Sequence, residues 1–475
     1  MIFSSLTFVW FFLPALAFVY YLVPGRNGKN GILLAASLLF YSWGEPKYVV
    51  LVILSVLMNY GFGLAIERAG IRKAQGKPVG KKLVFAVSIL ANLALLGYFK
   101  YFNFFLELAY TVLGKEGFAP RDIALPIGIS FYTFQCISYL SDTYKGENPA
   151  QRNLLHLALY ISLFPQILSG PIVKYHELEP QIMGRRESLS MHAYGIKRFV
   201  YGLGKKMVFA NMFGQTADRI FELPPHQLGT VTVWLGLILY SFQIYYDFSG
   251  YSDMAIGLGR MFGFTYRENF NYPYLSTSVS EFWRRWHISL STWFKEYLYI
   301  PLGGNRKGLI RTCVNLFIVF LATGLWHGAS MNFILWGIYY GILLVTERFW
   351  LGKILEKNPV KWLNRLYTLA AVAVGWLFFR VESVSKGLVL LKAMVIPTAG
   401  GWNARIFANN RILFLLVLAV LFCGPLQQMF PGLKARLFDE DQVKASDIAA
   451  MLVLLILGTI LMVSSTYQAF IYFKF

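Results

Sequence analysis

Two histidines stand among apolar and aromatic residues, where an ionisable side chain is unusual. His327 closes an apolar run in Gly324–Ala329, and His287 lies between tryptophans in Trp283–Trp293. A charged residue inside a membrane costs about 2.5–3.5 kcal/mol on insertion scales, so ionisable residues there are generally functional. A neutral imidazole can take a proton from a hydroxyl near pH 7, which typically accelerates a reaction by about 10²–10⁴-fold. The alternatives are an interfacial His327 bonded to backbone and a His287 packed in an aromatic belt.

The residues around His287 have the spacing of a helix face. On one continuous helix, Trp283, Trp286, Leu290 and Trp293 share a face at i, i+3, i+7 and i+10. His287 borders that face, one turn after Trp283. The spacing therefore predicts that His287 packs against the aromatic face of a helix.

Two arginines precede this histidine directly. Arg284 and Arg285 can extend along apolar surface as membrane anchors. They can equally bind the phosphates of an anionic substrate such as coenzyme A. The sequence around them leaves both interpretations open.

Three carboxylates, Asp247, Asp253 and Glu281, also lie among aromatic residues. Their spacing specifies no metal, and the three scattered cysteines contain no CxxC pair, so neither a disulfide framework nor a cysteine zinc site is expected. We expect the carboxylates to form structural salt bridges, with partners drawn from Arg260, Arg267 and Arg284.

The composition indicates that these residues lie in a membrane protein. Of the 475 residues, 56% are hydrophobic and only 14% are charged, whereas soluble domains carry roughly 25% charged residues. A bilayer solvates such apolar surface. The net charge of +20 lies in short connectors such as residues 67–82, which is the usual topology signal of membrane proteins. The charge therefore predicts no nucleic-acid partner.

The apolar runs predict the architecture. Nine clear spanning candidates are Leu6–Val23, Tyr48–Ile66, Leu83–Phe99, Val231–Phe248, Ile310–Trp326, Asn332–Val345, Trp362–Phe379, Ile412–Leu426 and Ile448–Val463. Shorter runs are Gly31–Trp43, Leu125–Leu140 and Leu154–Val173. The prediction is an all-α polytopic membrane protein, one domain over 1–475, with about 11–12 transmembrane helices plus re-entrant or short helices. The basic loops place the N-terminus outside and loop 67–82 in the cytoplasm.

Two regions interrupt this pattern. Residues 154–173 contain Pro165, Gly170 and Pro171, which predicts a broken segment buried within the protein. Residues 245–299 are rich in polar groups, which predicts short helices and irregular backbone packed inside a bundle. Both His287 and the three carboxylates lie in this second region.

Several ordered blocks together resemble the membrane-bound O-acyltransferase family, in its bacterial alginate O-acetyltransferase branch. The resemblance is densest in Leu125–Gln135, Tyr245–Gly259, Glu268–Tyr274, Glu281–Trp293, Tyr299–Arg306 and Gly324–Ala329. It implies helices arranged around a central tunnel. His327 matches the catalytic histidine of the family, and His287 matches a second histidine that lines the tunnel.

The resemblance also implies an activity. The expected donor is acetyl-CoA or another acyl thioester on the cytoplasmic side, with no bound cofactor and no metal. The expected acceptor is a hydroxyl of an extracytoplasmic polysaccharide, reached with an SGNH-type partner enzyme, and the expected location is the bacterial cytoplasmic (inner) membrane. Arg284 and Arg285 would then bind donor phosphates. Trp326, Asn271 or His287 would stabilise the oxyanion formed at the thioester carbonyl.

The C-terminus carries an aromatic tail. Residues 446–475 contain the last apolar run, and Phe470–Phe475 resembles the C-terminal motif of a small helper protein in teichoic-acid D-alanylation. That resemblance implies a fused helper segment, with Tyr472 as the candidate acyl carrier and Tyr467 as the second choice. The alternative is an interfacial aromatic anchor.

Two other function classes are consistent with parts of the sequence. A transporter or flippase would use His327, Asp247 and Asp253 as a proton relay, and it would predict inverted repeats, which the sequence does not show. A structural subunit of an export complex would tolerate substitution of both histidines.

Overall fold

The regular structure of this protein is helical wherever the chain is described. The computed structural model describes residues 1–74, 80–115, 117–397, 401–439, 443–465 and 467. Within those ranges the extended pairing is a single parallel bridge between Leu228 and Trp402. The predicted all-α class is confirmed. The chain divides into two compact units, Met1–His192 with Leu258–Tyr266, and Ala193–Gly257 with Arg267–Phe475.

The first unit is built from nine described α-helices. They are α1 (Leu13–Leu22), α2 (Arg26–Gly44), α3 (Val49–Ala74), α4 (Lys81–Leu96), α5 (Phe102–Val112), α6 (Ile129–Lys145), α7 (Leu154–Ser162), α8 (Phe164–Ile167) and α9 (Tyr175–Gly184). Single π-helical turns, Phe8–Phe12 and Gly97–Tyr101, precede α1 and α5.

Helix α6 forms the centre of this unit, because every side chain from Ile129 to Thr143 is buried. The predicted break in residues 154–173 is confirmed: α7 ends at Ser162, α8 covers four residues, and no helix follows until Tyr175. The residues from Leu159 to Tyr175 are all buried, so this irregular backbone lies inside the protein, as a membrane environment requires.

The second unit contains the remaining helices. They are α10 (Leu189–Gly204), which begins just before the unit boundary, α11 (Asn211–Phe221), α12 (Thr230–Met261), which ends just beyond it, α13 (Val279–Arg285), α14 (Ile288–Phe294), α15 (Gly308–His327), α16 (Met331–Thr346), α17 (Gly352–Lys357), α18 (Lys361–Arg380), α19 (Val384–Val395), α20 (Asn410–Phe422), α21 (Pro425–Met429), α22 (Pro431–Lys434) and α23 (Ala445–Ser464). Short π-helical turns cover Lys205–Ala210, Lys295–Tyr299, Glu347–Leu351 and Ala435–Asp439, and 3₁₀ turns cover Pro225–Gln227, Pro273–Leu275 and Ala404–Ile406.

Seven helical segments of the described chain are long and apolar enough to cross a membrane. They are Val49–Arg72, Lys81–Val112, Gly308–His327, Met331–Lys357, Lys361–Arg380, Asn410–Met429 and Ala445–Ser464. Each corresponds to a predicted span. The outer surface of α23 illustrates their environment, because Val453, Ile456, Ile460 and Val463 are all exposed. This protein is therefore a multi-pass membrane protein.

Two predicted spans have different lengths in the structure. The first apolar run forms a shorter helix, Phe8–Leu22. The predicted span Val231–Phe248 is part of the 32-residue helix α12. The prediction of irregular backbone from residue 245 is wrong for the first part of that region, because the chain stays helical to Met261. Glycines explain how this polar half packs: a Cβ on Gly257 would lie 2.5 Å from the Gly195 carbonyl oxygen.

Helices α15 and α16 pack as a close pair. A Cβ on Gly324 would lie 2.3 Å from the Phe333 carbonyl oxygen, and one on Gly337 would lie 2.6 Å from the Phe320 carbonyl oxygen. Close approach of two backbones requires residues this small, as in many membrane helix pairs. The pair determines where the end of α15, and with it His327, lies.

Candidate active site

His327 is the last residue of α15 and is buried, with 6% of its surface exposed. Aromatic rings surround the imidazole at centroid distances of 5.0 Å for Trp326, 5.2 Å for Trp336 and 5.1 Å for Phe379. These rings exclude water from one side of the imidazole. His327 is thus an ionisable group in an apolar environment, as predicted from its position in the sequence.

His287 lies at a break between two short helices. Helix α13 ends at Arg285, α14 begins at Ile288, and His287 caps α14 with a left-handed backbone at φ 46°. The predicted continuous helix through Trp283–Trp293 is therefore wrong. A left-handed conformation is uncommon for a residue other than glycine and occurs often at functional sites. The break turns His287 inward, where it is 1% exposed.

Asn269 holds this imidazole from one side. His287 Nδ1 lies 3.2 Å from Asn269 Oδ1, and the backbone N–H of Ile288 donates to the Asn269 carbonyl at 3.0 Å. Phe248 packs edge-on against the imidazole at 4.5 Å. The ring of His287 is therefore fixed by a hydrogen bond and by packing.

One cavity brings the two histidines together. It has a volume of about 930 Å³ and is lined by both His287 and His327. Small-molecule sites typically measure about 300–1,000 Å³, so this cavity can hold most of a large ligand. We call it the donor cavity, after the acyl donor that we propose for it below. Both histidines are predicted site residues, and this geometry is consistent with that prediction.

The donor cavity is also lined by charged side chains. The basic residues are Arg284, Lys295, Arg348, Lys353 and Lys361, and the acidic ones are Glu281, Glu347 and Glu356. Glu347 accepts the backbone N–H groups of Val279 and Ser280 at 2.7 and 2.8 Å, so it caps α13. Glu281 pairs with Arg285 at 2.7 Å. With two of the three acids in these contacts, the cavity is suited to an anionic ligand.

His327 also lines a much smaller space. A cavity of only about 10 Å³ lies between His327 and a set of apolar and aromatic side chains: Ile244, Phe248, Trp283, Trp286, Trp336, Trp376 and Phe379. This volume is close to the minimum that can hold one water molecule. His327 therefore lines both the donor cavity and this small apolar space.

The structure separates the other predicted site residues. Arg284 lines the donor cavity, whereas Arg285 does not and instead contacts Glu281. Trp326 lies between the histidines, with its ring 5.0 Å from His327 and 6.2 Å from His287.

Asn271 lies elsewhere. It is exposed and lines a second cavity of about 200 Å³, together with Arg198, Asp253 and Glu268. The geometry does not bring Asn271 to His327, so it does not support the prediction that Asn271 stabilises an oxyanion there.

The three carboxylates form structural ion pairs, as predicted, but with different partners. Buried Asp247 pairs with buried Lys206. Asp253 contacts Arg198 at 2.5 Å and Lys205 at 2.6 Å. The predicted partners Arg260, Arg267 and Arg284 are wrong, because α10 and the turn after it, rather than the nearest arginines in sequence, pack against α12. Desolvated charges require such close partners.

Tyr467 is the described tyrosine of the C-terminal tail. Its phenol donates to Asp218 Oδ2 at 2.6 Å, and Arg380 contacts Asp218 Oδ1 at the same distance. Asp218 and Arg380 line a polar cavity of about 230 Å³. Tyr472, the preferred acyl carrier from the sequence, lies outside the described residues.

One group of residues in the first unit has the chemistry of a metal site. The ligand atoms of Asp142, Glu147 and His176 all lie within 4.8 Å of one another. His176 Nδ1 lies 2.9 Å from Asp142 Oδ2, and Lys145 lies 3.6 Å from Glu147. These contacts compensate part of the negative charge of Asp142 and Glu147. No role was predicted for these residues from the sequence.

Comparison with known proteins identifies the family. The model of the membrane-bound O-acyltransferase family matches residues 38–384. This range contains both histidines and the whole lining of the donor cavity. The chain belongs to the membrane-bound O-acyltransferase family. It is an O-acyltransferase.

Several bacterial proteins that are named as acyltransferases or acetylases are similar to this chain. The chain is 41% identical, over the full length of both proteins, to a probable alginate O-acetylase of Pseudomonas putida. It is 33% identical to a peptidoglycan O-acetyltransferase of Helicobacter pylori, across 100% of this chain and 98% of that protein. It is 29% identical to a teichoic acid D-alanyltransferase of Bacillus subtilis, across 54% of this chain and 68% of that protein.

Sequence reasoning missed two features of the acyltransferase site. Lys353 and Lys361 line the donor cavity, and their only signal was a run of basic residues after an apolar segment. Asn269 holds His287. Its signal in the sequence was its place in the block Glu268–Tyr274, from which Asn271 was predicted instead.

Proposed function

We propose that this acyltransferase takes an acetyl group from acetyl-CoA in the donor cavity and passes it to hydroxyl groups of an extracytoplasmic polysaccharide. The observation that carries the proposal is one cavity of about 930 Å³ that is lined both by five basic side chains and by two buried histidines. The basic side chains suit an anionic donor, and the histidines suit acyl-transfer chemistry.

The basic residues support a donor that arrives from the cytoplasm. Lys353 and Lys361 lie at one end of the helices that form the cavity, close in sequence to Arg348 and Lys357. Lysine and arginine concentrate on the cytoplasmic side of membrane proteins. The same side chains can bind the phosphates of coenzyme A. Arg284 also lines the cavity and is a further candidate ligand. Arg285 instead forms an ion pair with Glu281.

The chemistry assigned to His327 is general base catalysis. The hydroxyl oxygen attacks the thioester carbonyl carbon while the imidazole of His327 takes the hydroxyl proton. The C–S bond then breaks, and the proton passes to the thiolate, so the enzyme returns to its starting state. Trp326 is the proposed donor for the oxyanion, because its ring lies 5.0 Å from that of His327 and an indole N–H can only donate. The aromatic residues around His327 limit hydrolysis by excluding water.

The acceptor is proposed from the relatives. Three of them are named for acyl transfer to alginate, peptidoglycan or teichoic acid, all of which are polymers that lie outside the cytoplasmic membrane and carry hydroxyl groups. We place this protein in the bacterial cytoplasmic membrane, with an SGNH-type enzyme on the outer side completing transfer to the polysaccharide.

Replacement of His327 tests the proposal. In cells that make the polysaccharide, His327→Ala should reduce polysaccharide O-acetylation by about 100-fold or more at matched protein level, since a general base typically contributes 10²–10⁴-fold. His226→Ala is the matched control, because His226 is exposed and lies outside the donor cavity. O-acetyl groups are measured by mass spectrometry of the released glycan, and unchanged O-acetylation in His327→Ala would refute the assignment.

A further inference from the structure

Asn269 has an orientation that its hydrogen bonds determine. The backbone N–H of Ser289, which can only donate, points at Asn269 Oδ1 at 3.1 Å, and the Ser289 hydroxyl lies 2.9 Å from the same oxygen. The opposite end of the amide, Nδ2, donates to Ser252 Oγ at 3.0 Å. The atom that faces His287 is therefore the amide oxygen, a hydrogen-bond acceptor.

This orientation determines where His287 carries its proton. Nδ1 of His287 lies 3.2 Å from that oxygen and 3.4 Å from Ser289 Oγ. Since Oδ1 can only accept, Nδ1 must carry the hydrogen of the neutral ring. The lone pair is then on Nε2, which is buried and has no hydrogen-bond partner among the described residues.

We propose that Asn269 is a positioning residue that fixes His287 as its Nδ1–H tautomer, so that Nε2 accepts a hydrogen bond from an O–H or N–H group of a substrate. The site is built for this purpose: Asn269 and His287 are both 1% exposed, and Phe248 holds the ring in place. A buried acceptor without a partner is costly unless a ligand completes it.

The inference rests on the proposed function for the identity of the ligand. It assigns hydrogen-bond acceptance to His287 and oxyanion stabilisation to a different group. A neutral His287 of this tautomer cannot donate to the thioester oxyanion through Nε2. It can hold the hydroxyl of the incoming acceptor or an amide N–H of the pantetheine arm of the donor. Oxyanion stabilisation then belongs to another group, with Trp326 as the neighbouring donor.

Nuclear magnetic resonance of the histidine rings tests the tautomer directly. The chain has six histidines, so ring-¹⁵N-labelled protein in lipid bilayers gives few signals, and loss of one signal in His287→Gln assigns it. We expect the wild-type protein and Asn269→Asp to show the Nδ1–H tautomer. Asn269→Leu removes the acceptor and should shift the ring toward the Nε2–H form. An unchanged ring signal in Asn269→Leu would overturn the inference, whether or not His327 is the general base.

Activity tests whether the tautomer matters. Asn269→Leu should lower polysaccharide O-acetylation by about 100-fold, within the range for loss of a proton-transfer group, while Asn269→Asp, which keeps acceptor oxygens, should restore most of it. Ser252→Ala is the matched control, since it removes only the partner of Nδ2. Equal losses in Asn269→Leu and Asn269→Asp, with both proteins folded, would show a merely structural role and contradict the proposal.

The same variants identify the ligand group. If binding of coenzyme A, measured by calorimetry, weakens in Asn269→Leu, Nε2 holds the amide N–H of the donor. If binding is unchanged and only transfer is lost, Nε2 holds the acceptor hydroxyl. Both results support the acceptor role of His287. If Asn269→Leu loses neither coenzyme A binding nor acetyl transfer, the proposal is contradicted.

Discussion

At the residue scale, the phenol of Tyr467 already forms a hydrogen bond within the protein. It donates to Asp218, which is also paired with Arg380. Burial, together with the negative charge of Asp218, raises the pKa of this phenol, so it is a poor nucleophile. We therefore expect Tyr467→Phe to keep most polysaccharide O-acetylation and Tyr472→Phe to abolish it, because only Tyr472 is proposed to carry the acetyl group.

The two tyrosine variants control for each other, since each removes one hydroxyl from the same tail. O-acetyl content of the polysaccharide and mass spectrometry for acetyl-tyrosine peptides are the measurements. Full O-acetylation in Tyr472→Phe would return that residue to the class of interfacial anchors. Loss confined to Tyr467→Phe would make Tyr467 the carrier and its contact with Asp218 part of the transfer.

At the element scale, the α15–α16 pair determines the position of His327. The Cβ of Gly337→Ala would meet the Phe320 carbonyl oxygen at 2.6 Å, so the helices must separate. Overpacking of this kind typically costs about 1–3 kcal/mol. We expect Gly337→Ala to lower both the thermal unfolding temperature in detergent and the O-acetylation activity.

Gly61→Ala is the matched control for this prediction. Gly61 lies within α3, and a Cβ there has no neighbour within 4 Å. Alanine favours a helix by about 1 kcal/mol relative to glycine, so Gly61→Ala should leave the unfolding temperature unchanged or raised. Equal behaviour of the two variants would contradict the close packing of α15 on α16.

At the scale of the whole molecule, the basic loops predict the orientation in the membrane. Lys47 precedes α3 and Lys82 lies at the start of α4, and both side chains are exposed. With the N-terminus outside, a membrane-impermeant maleimide should label Lys47→Cys in intact spheroplasts and label Lys82→Cys only after permeabilisation. The native cysteines, Cys136, Cys313 and Cys423, are buried, which keeps the background low. The opposite pattern would contradict the predicted orientation of α3 and α4.

Much of this protein could be predicted from local features of its sequence. Long apolar runs determine membrane helices because about 20 apolar residues suffice to span a bilayer, and seven of the predicted spans appear as such helices. The ordered sequence blocks indicated the family, and the resemblance indicated His327 and His287 as candidate site residues. Pro165, Gly170 and Pro171 marked a break that the structure contains, since proline disrupts a helix from within the chain itself.

Contacts between distant residues were decided only by the tertiary structure. Lys206 and Asp247 are 41 positions apart, and Asn269 and His287 are 18 apart, so neither pair follows from spacing. Arginines nearest in sequence were the wrong partners for Asp247 and Asp253. The energy of a buried charge or hydrogen bond depends on distance, orientation and desolvation, and these quantities exist only once the helices have packed. The sequence therefore indicated which groups are candidates for the chemistry, and the fold determined what holds them.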